Sequence, residues 1–129
     1  MYIEHIALWT NQLERLKDFY ETYFQAKAGN KYSNPAKQSE SYFLSFSGGA
    51  RLELMYQPGI QRARNDQGER NIGYTHLSFA TGSEQGVGEL TNRLQRNGFQ
   101  IMDGPRHTGD GYYESVVLDP DGNCVEITV

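Results

Sequence analysis

The chain alternates between apolar and polar residues in two segments that each contain a histidine near the middle. These are residues 2–9, YIEHIALW, and residues 73–80, GYTHLSFA. Such alternation is typical of strands, because successive side chains of a strand point to opposite faces. His76 lies 71 positions after His5, and an offset of this kind indicates an internal repeat. Trp9, at the end of the first segment, is expected in the core.

A helix is predicted after each of these strands. The apolar residues of the first helix recur at helical spacing, and they are Leu13, Leu16, Tyr20, Tyr23 and Phe24. The apolar stripe of the second helix consists of Val87, Leu90 and Leu94. Asn11 followed by Glu14 predicts a capped start for the first helix. Gly29 and Gly98 suit the two helix ends.

Short strands follow each helix. The first half has them at 41–47 and 50–56, joined by the hairpin signal Gly48-Gly49, with residues 29–32 as a candidate for one more. The second half has them at 99–102, 112–118 and 123–129, with a turn at Asp119-Pro-Asp-Gly. The order strand, helix, strands therefore occurs twice. It predicts an α+β fold with module 1 at 1–56, a polar linker at 57–71 and module 2 at 72–129.

Composition and charge narrow the classes of function. The chain has 129 residues, of which 37% are hydrophobic, and a formal net charge of -4. This charge argues against nucleic-acid binding, which uses a surplus of basic residues. The sequence contains neither an apolar run long enough to span a bilayer nor the pattern of a secretory signal. One cysteine, Cys124, excludes an internal disulfide. Together these features predict a cytoplasmic protein.

Each half places one histidine on its first strand and one glutamate on its last. His5 is followed by Glu53 after 48 residues, and His76 by Glu126 after 50. In a strand over 50–56, the side chain of Glu53 points to one face of the sheet, and those of Leu52 and Leu54 point to the other. A helix that packs on the leucines therefore leaves the glutamate on the face away from the helix.

Two imidazoles and two carboxylates form a ligand set that suits one divalent metal ion. Zn²⁺ and Ni²⁺ fit these donors best, and Co²⁺, Mn²⁺ and Fe²⁺ stay open. Octahedral geometry with four protein ligands leaves two positions for water or substrate. A single histidine or glutamate on a strand usually just faces water. The pairing of all four residues in a two-fold repeat favours the metal site.

Other residues have both a functional and an ordinary interpretation. Cys124 is a candidate nucleophile, although packing explains it as well. His107 is predicted in a glycine-bounded loop, where it either touches substrate or is simply exposed. One of Tyr112 and Tyr113 must face the same side as the metal ligands, and Tyr113 is the candidate substrate contact. Arg51 shares the face of Glu53, where it either attracts an anionic substrate or is a surface charge.

Four segments resemble those of vicinal-oxygen-chelate proteins. They are IEHIAL at 3–8, RLEL at 51–54, YTHLSF at 74–79 and DPDGNCVEI at 119–127. This superfamily includes glyoxalase I, bleomycin resistance proteins, fosfomycin-resistance transferases, methylmalonyl-CoA epimerase and extradiol dioxygenases. The resemblance implies a single domain over 1–129, in which two βαβββ modules form an open, cup-shaped mixed sheet around the metal.

The ligand pattern at 5, 53, 76 and 126 is similar to that of glyoxalase I. This resemblance implies a metal-dependent lyase or isomerase acting on a small α-oxo substrate, such as a hemithioacetal of a 2-oxoaldehyde and a thiol, through an enediolate. It implies Glu126 as the principal base with Glu53 as its partner, and a homodimer with sites at the module interface. The alternatives are a dioxygenase or epimerase on the same scaffold, and a non-catalytic protein that binds a small molecule. Dioxygenases use two histidines and one glutamate, so Glu53 argues against them, and the antibiotic-binding members lack the metal set.

Overall fold

The protein divides into two compact units, Met1–Gln67 (unit 1) and Gly68–Val129 (unit 2). The computed structural model describes residues 1–61 and 72–129. Most of the predicted linker, 62–71, lies outside the described residues. Each unit contains one helix packed on one open mixed sheet, which confirms the predicted α+β class.

Unit 1 begins with the strand that bears the first histidine. Its elements are β1 (His5–Trp9), α1 (Leu13–Phe24), β2 (Lys27–Ala28), β3 (Tyr32–Asn34), β4 (Ser39–Ser45) and β5 (Arg51–Tyr56). The sheet order is β1-β5-β4-β2, with β3 also paired to β4. β1 runs parallel to β5, and the other pairs are antiparallel. The additional strand predicted at 29–32 is wrong in its bounds: residues 29–31 lie between two short strands, β2 and β3, and only Tyr32 of the predicted range is in a strand.

Unit 2 repeats this topology. Its elements are β6 (His76–Ala80), α2 (Glu84–Arg96), β7 (Ile101–His107), β8 (Tyr113–Leu118) and β9 (Cys124–Thr128). The sheet order is β6-β9-β8-β7, and β6 runs parallel to β9. In both units the first strand therefore lies at a sheet edge and pairs with the last strand.

One face of each sheet is buried against the helix of its own unit. The fully buried apolar side chains of unit 1 are Leu16, Tyr20, Leu44 and Leu54, and those of unit 2 are Val87, Leu94, Val117, Val125 and Ile127. Because strand residues alternate, burial of Leu52 and Leu54 directs Glu53 to the opposite face. Burial of Val125 and Ile127 does the same for Glu126. Neither of the two helices in the described residues is long and apolar enough to cross a membrane.

The turn between β8 and β9 is built around the carboxylate of Asp119, which is buried. Its Oδ1 accepts hydrogen bonds from the backbone N–H groups of Asp121 and Asn123, and its Oδ2 accepts one from the Asn123 side chain. Gly122 takes a positive φ of 86°, which glycine adopts without strain. The predicted turn is thus confirmed, and it fixes the start of the strand that bears Glu126.

Three local predictions in unit 1 are wrong. Asn11 does not cap α1: Gln12 occupies the N-cap position without a side-chain capping bond, and the Asn11 amide donates to the Ile60 carbonyl instead. The helix ends at Phe24, where Gln25 adopts a left-handed conformation, rather than near Gly29. Trp9 is not in the core of its unit, since 51% of its surface is exposed.

The prediction that His107 lies in a loop is also wrong, because β7 continues through Gly104-Pro105 to His107. The register against β8 shifts on both sides of Asp103, so the strand is bulged rather than ended. Gly104 permits this path. A Cβ at that position would lie 2.4 Å from the carbonyl oxygen of Glu114, which no side chain tolerates.

A buried pair of hydroxyl groups joins α2 to β8. Thr91 and Ser115 are 2% and 1% exposed, and their oxygen atoms are 2.6 Å apart. The Thr91 hydroxyl donates to the Val87 carbonyl at 2.6 Å, so its single proton is used. Ser115 must therefore donate to Thr91.

We expect Thr91→Val to lower the free energy of unfolding by about 1–3 kcal/mol, because the Ser115 donor would be buried without an acceptor. Ser115→Ala should cost less, since Thr91 keeps its bond to Val87. The double variant should be less destabilised than the sum of the single variants, because it contains no orphaned donor. Urea denaturation at one protein concentration measures all three, and strict additivity would contradict the assigned direction of the bond.

Candidate functional site

His5 and Glu53 form a pair on the face of the unit 1 sheet that points away from α1. The register of β1 on β5 places Ala7 opposite Glu53, so His5 lies two residues before that position. The His5 Nε2 atom is 3.8 Å from Glu53 Oε2. The Glu53 side chain is 17% exposed and that of His5 is 40% exposed, so solvent reaches the imidazole while the carboxylate is largely covered.

His76 and Glu126 form the equivalent pair in unit 2. Ser78 lies opposite Glu126 in the register of β6 on β9, so this histidine also lies two residues before its register position. The His76 Nε2 atom is 3.5 Å from Glu126 Oε2, with exposed side-chain fractions of 42% and 17%. Each predicted histidine is thus brought to the predicted glutamate of its own unit by the same strand pairing.

The other ring nitrogen of His5 lies against an acidic partner that sequence reasoning missed. Glu4 Oε2 contacts His5 Nδ1, and Glu4 Oε1 accepts a hydrogen bond from Arg51. These two contacts hold the pKa of the Glu4 carboxyl below its usual value, so it is ionised at neutral pH. A carboxylate only accepts hydrogen bonds, so His5 Nδ1 is the donor in its contact with Glu4, while the Nε2 atom faces Glu53.

His76 has a neutral partner at the corresponding place. Its Nδ1 atom is 3.0 Å from the Thr75 hydroxyl oxygen, which is able to donate or to accept. Glu4 and Thr75 each directly precede a histidine. That adjacency was a signal in the sequence, but side chains next to each other on a strand are expected to point apart.

Glu126 has two further neighbours that were also missed. The Ser78 hydroxyl donates to Glu126 Oε1 at 2.6 Å. Glu114 on β8 lies beside Glu126: burial raises the pKa of the Glu114 carboxyl, and the negative charge of Glu126 raises it further, while Arg106 opposes both. Periodicity gives the face of each residue but not the register between strands, and the register is what makes Ser78 and Glu114 neighbours of Glu126.

The three residues predicted to touch substrate have partners within their own units. Arg51 bonds Glu4, and its guanidinium lies 4.2 Å from the centre of the Phe43 ring. The His107 and Tyr113 rings are 4.8 Å apart, and His107 Nε2 is 3.8 Å from a carboxylate oxygen of Glu84. Their role towards a substrate stays a prediction. Cys124 is a free, half-buried thiol opposite His76 in the strand register.

In each unit the histidine Nε2 atom and the glutamate oxygen lie slightly farther apart than two ligands of one divalent ion do. Ligand atoms about 2.0–2.2 Å from a metal lie about 3 Å apart, so separations of 3.5 and 3.8 Å need to close by under about 1 Å. Both histidines present Nε2 on the carboxylate side, and Nδ1 has a partner that fixes the ring. Within 1–61 and 72–129 there is no group of three or more His, Cys, Asp or Glu side chains able to hold a metal. Each unit by itself therefore brings together two of the four predicted ligands.

Comparison with known proteins relates the whole chain to one family. Over 131 residues the chain is 27% identical to YqjT, an uncharacterized protein of Bacillus subtilis (strain 168), covering 97% of this chain and 96% of that one. The trypanothione-dependent glyoxalase I of Leishmania major has a similar structure, with a TM-score of 0.77 and 22% identity over 99% of this chain and 86% of the other.

Glyoxalase I from Zea mays gives the same TM-score of 0.77 at 22% identity over 98% of this chain, which spans only 44% of the maize protein. At these identities the structural likeness establishes the fold. The family model of the Glyoxalase/Bleomycin resistance protein/Dioxygenase superfamily matches residues 2–127. Since this match extends over almost the whole sequence, the chain belongs to the Glyoxalase/Bleomycin resistance protein/Dioxygenase superfamily.

Proposed function

We propose that this protein is a metal-dependent lyase or isomerase of the glyoxalase I type, acting on a small α-oxo substrate such as a 2-oxoaldehyde–thiol hemithioacetal. The observation that supports this best is the repeated histidine–glutamate pair. Both units place Nε2 within 3.8 Å of a carboxylate oxygen through the same parallel strand register. The two units therefore carry the same two residue types at equivalent positions of the repeated fold.

The proposed ligands are His5, Glu53, His76 and Glu126, for one divalent ion per site, with Zn²⁺ or Ni²⁺ the best match to the donors. When bound, such an ion supplies Lewis-acid stabilisation of negative charge on substrate oxygens. The contact of Glu4 with Nδ1 makes His5 a stronger metal ligand, because an anionic partner on Nδ1 raises the basicity of Nε2.

The carboxylates move the proton in the proposed reaction. Glu126 removes a proton from the carbon next to the substrate carbonyl, which gives an enediolate, and then returns that proton to the neighbouring carbon. Glu53 is its partner carboxylate. The C–H bond that breaks is replaced by a new C–H bond on the adjacent carbon, and the hydroxyl proton passes from one substrate oxygen to the other. The step is therefore an isomerisation without an external oxidant or reductant.

The first test of this proposal is metal binding. We expect about one divalent ion per chain, and we expect His5→Ala and His76→Ala each to weaken binding because each removes one of four ligands. Elemental analysis and titration with Zn²⁺, Ni²⁺ and Co²⁺ measure this, and His107→Ala is a matched control outside the ligand set. Wild-type protein that takes up none of these ions would contradict the proposal and would favour a metal-free binding protein.

The second test separates binding from chemistry. Glu126→Gln should retain part of the metal affinity, because three ligands remain, but lose about 10²–10⁴-fold in kcat as the base is removed. Isomerisation of a methylglyoxal–thiol hemithioacetal, measured across several thiols, gives the rate. A variant as active as wild type would show that Glu126 is not the base. Oxygen consumption by the wild-type protein would indicate a dioxygenase instead.

We also propose a homodimer in which unit 1 of one chain and unit 2 of its partner complete each site. Each unit brings two donors, and the strand that bears each histidine, β1 or β6, lies at a sheet edge. An edge strand offers unpaired backbone groups to another strand. Two-fold symmetry would then give two equivalent sites.

Chain exchange between inactive variants tests this assembly. If sites are shared, mixing His5→Ala with His76→Ala gives mixed dimers with one intact site and one doubly altered site, and about a quarter of all sites recover under two-fold symmetry. Metal content and activity measure the recovery. The matched control is His5→Ala mixed with Glu53→Ala, where both changes lie in unit 1 and every site stays altered. No recovery in the first mixture, or a monomer in solution, would contradict shared sites.

A further inference from the structure

The two glutamates differ in the residue that faces them across the parallel strand pair. Ser78 lies opposite Glu126 in the register of β6 on β9, and Ala7 lies opposite Glu53 in the register of β1 on β5. The position of the histidine is the same in both units, since each histidine stands two residues before this position. The repeat therefore provides an internal comparison in which a hydroxyl group is present beside one carboxylate and absent beside the other.

The serine gives the two oxygen atoms of Glu126 different partners. The Ser78 Oγ–H donates to Oε1 at 2.6 Å, while Oε2 lies 3.5 Å from His76 Nε2. A hydrogen bond to an ionised carboxylate is stronger than one between neutral groups, so it holds Oε1 effectively. The methyl group of Ala7 does not form hydrogen bonds. Of Ala7 and His5, only His5 makes a polar contact with Glu53.

We propose that Ser78 is a positioning residue that fixes Oε1 of Glu126 and so presents Oε2 as the single oxygen for the metal and the substrate proton. This inference rests on the proposed function, since it assigns a role at the same site. Ser78 acts through Glu126 and does not itself touch the reacting atoms. Glu126 is thereby the oriented carboxylate of the site, and Glu53 is the one with greater freedom.

The reason lies in the number of orientations that a glutamate side chain samples. A glutamate side chain loses considerable rotamer freedom when it coordinates a metal ion. If a hydrogen bond already fixes its orientation, that entropy is not lost when the metal binds. Outer partners of this type typically change metal affinity or activity by about 10-fold to 100-fold when they are removed. The same argument predicts that removing a hydroxyl group that contacts none of the proposed metal ligands changes metal affinity only slightly.

Binding of Co²⁺, followed by titration and by its visible absorption spectrum, tests this without a substrate. Ser78→Ala should weaken Co²⁺ binding by about 10-fold or more and alter the spectrum, whereas Ser78→Thr keeps the hydroxyl and should bind like wild type. Ser78 is exposed on its strand, so both variants should fold. Ala7→Ser combined with Ser78→Ala transfers the hydroxyl from Glu126 to Glu53 and should leave the spectrum unlike that of wild type.

A double-mutant cycle shows whether the effect passes through Glu126. In a Glu126→Ala background the Ser78→Ala change should have little further effect, while in a Glu53→Ala background its full effect should remain. If the Ser78→Ala variant binds Co²⁺ as tightly as the wild-type protein does, the role of Ser78 is overturned and the proposed function still stands. Loss of the effect in the Glu53→Ala background would have the same consequence. Failure of the wild-type protein to bind any divalent ion would instead overturn the proposed function.

Discussion

The parallel pairing of the first and last strands in each unit is the constraint on which the candidate site depends. In both units this pairing sets a register in which the histidine stands two residues before the position facing the glutamate. The packed helix then decides which face of the sheet is covered, and the donors remain on the other face. A shift of one residue in either register would turn a donor towards the core, so the site is specified by the same hydrophobic burial that stabilises the sheet.

The sequence predicts the parts of this arrangement that depend on periodicity. Alternation at 50–56 and 123–129 places Glu53 and Glu126 opposite buried residues, as the structure confirms. It does not predict Ser78 beside Glu126, because cross-strand neighbours follow from the register and not from the order of residues. Gly104-Pro105 resembles a loop signal, yet β7 continues through it as a bulged strand, so the prediction of a loop at His107 is wrong. Thr10 rather than Asn11 accepts a backbone N–H at the start of α1, a choice that local composition leaves open.

The repeat is close in backbone and less close in chemistry. His5 is backed by the ionised Glu4 and stands edge-on to the Phe43 ring, with 5.4 Å between ring centres, while His76 is backed by a neutral hydroxyl. In unit 2 it is the glutamate that has additional partners, Ser78 and Glu114. Unit 1 thus provides a charged partner for its imidazole, and unit 2 provides additional partners for its carboxylate. Two units of equal topology therefore surround their histidine–glutamate pairs with different partners.

The Asp119 turn has a consequence for how relatives of this protein are classified. The segment DPDGN is used to build a turn: the Asp119 side chain accepts hydrogen bonds from Asp121 and Asn123, and Gly122 supplies the positive φ. A search that relies on this stretch selects for a folded hairpin and is blind to reactivity. The differences between the two units lie elsewhere, in single side chains on the sheet faces that point away from the helices: a methyl group at Ala7 faces Glu53, and a hydroxyl group at Ser78 faces Glu126.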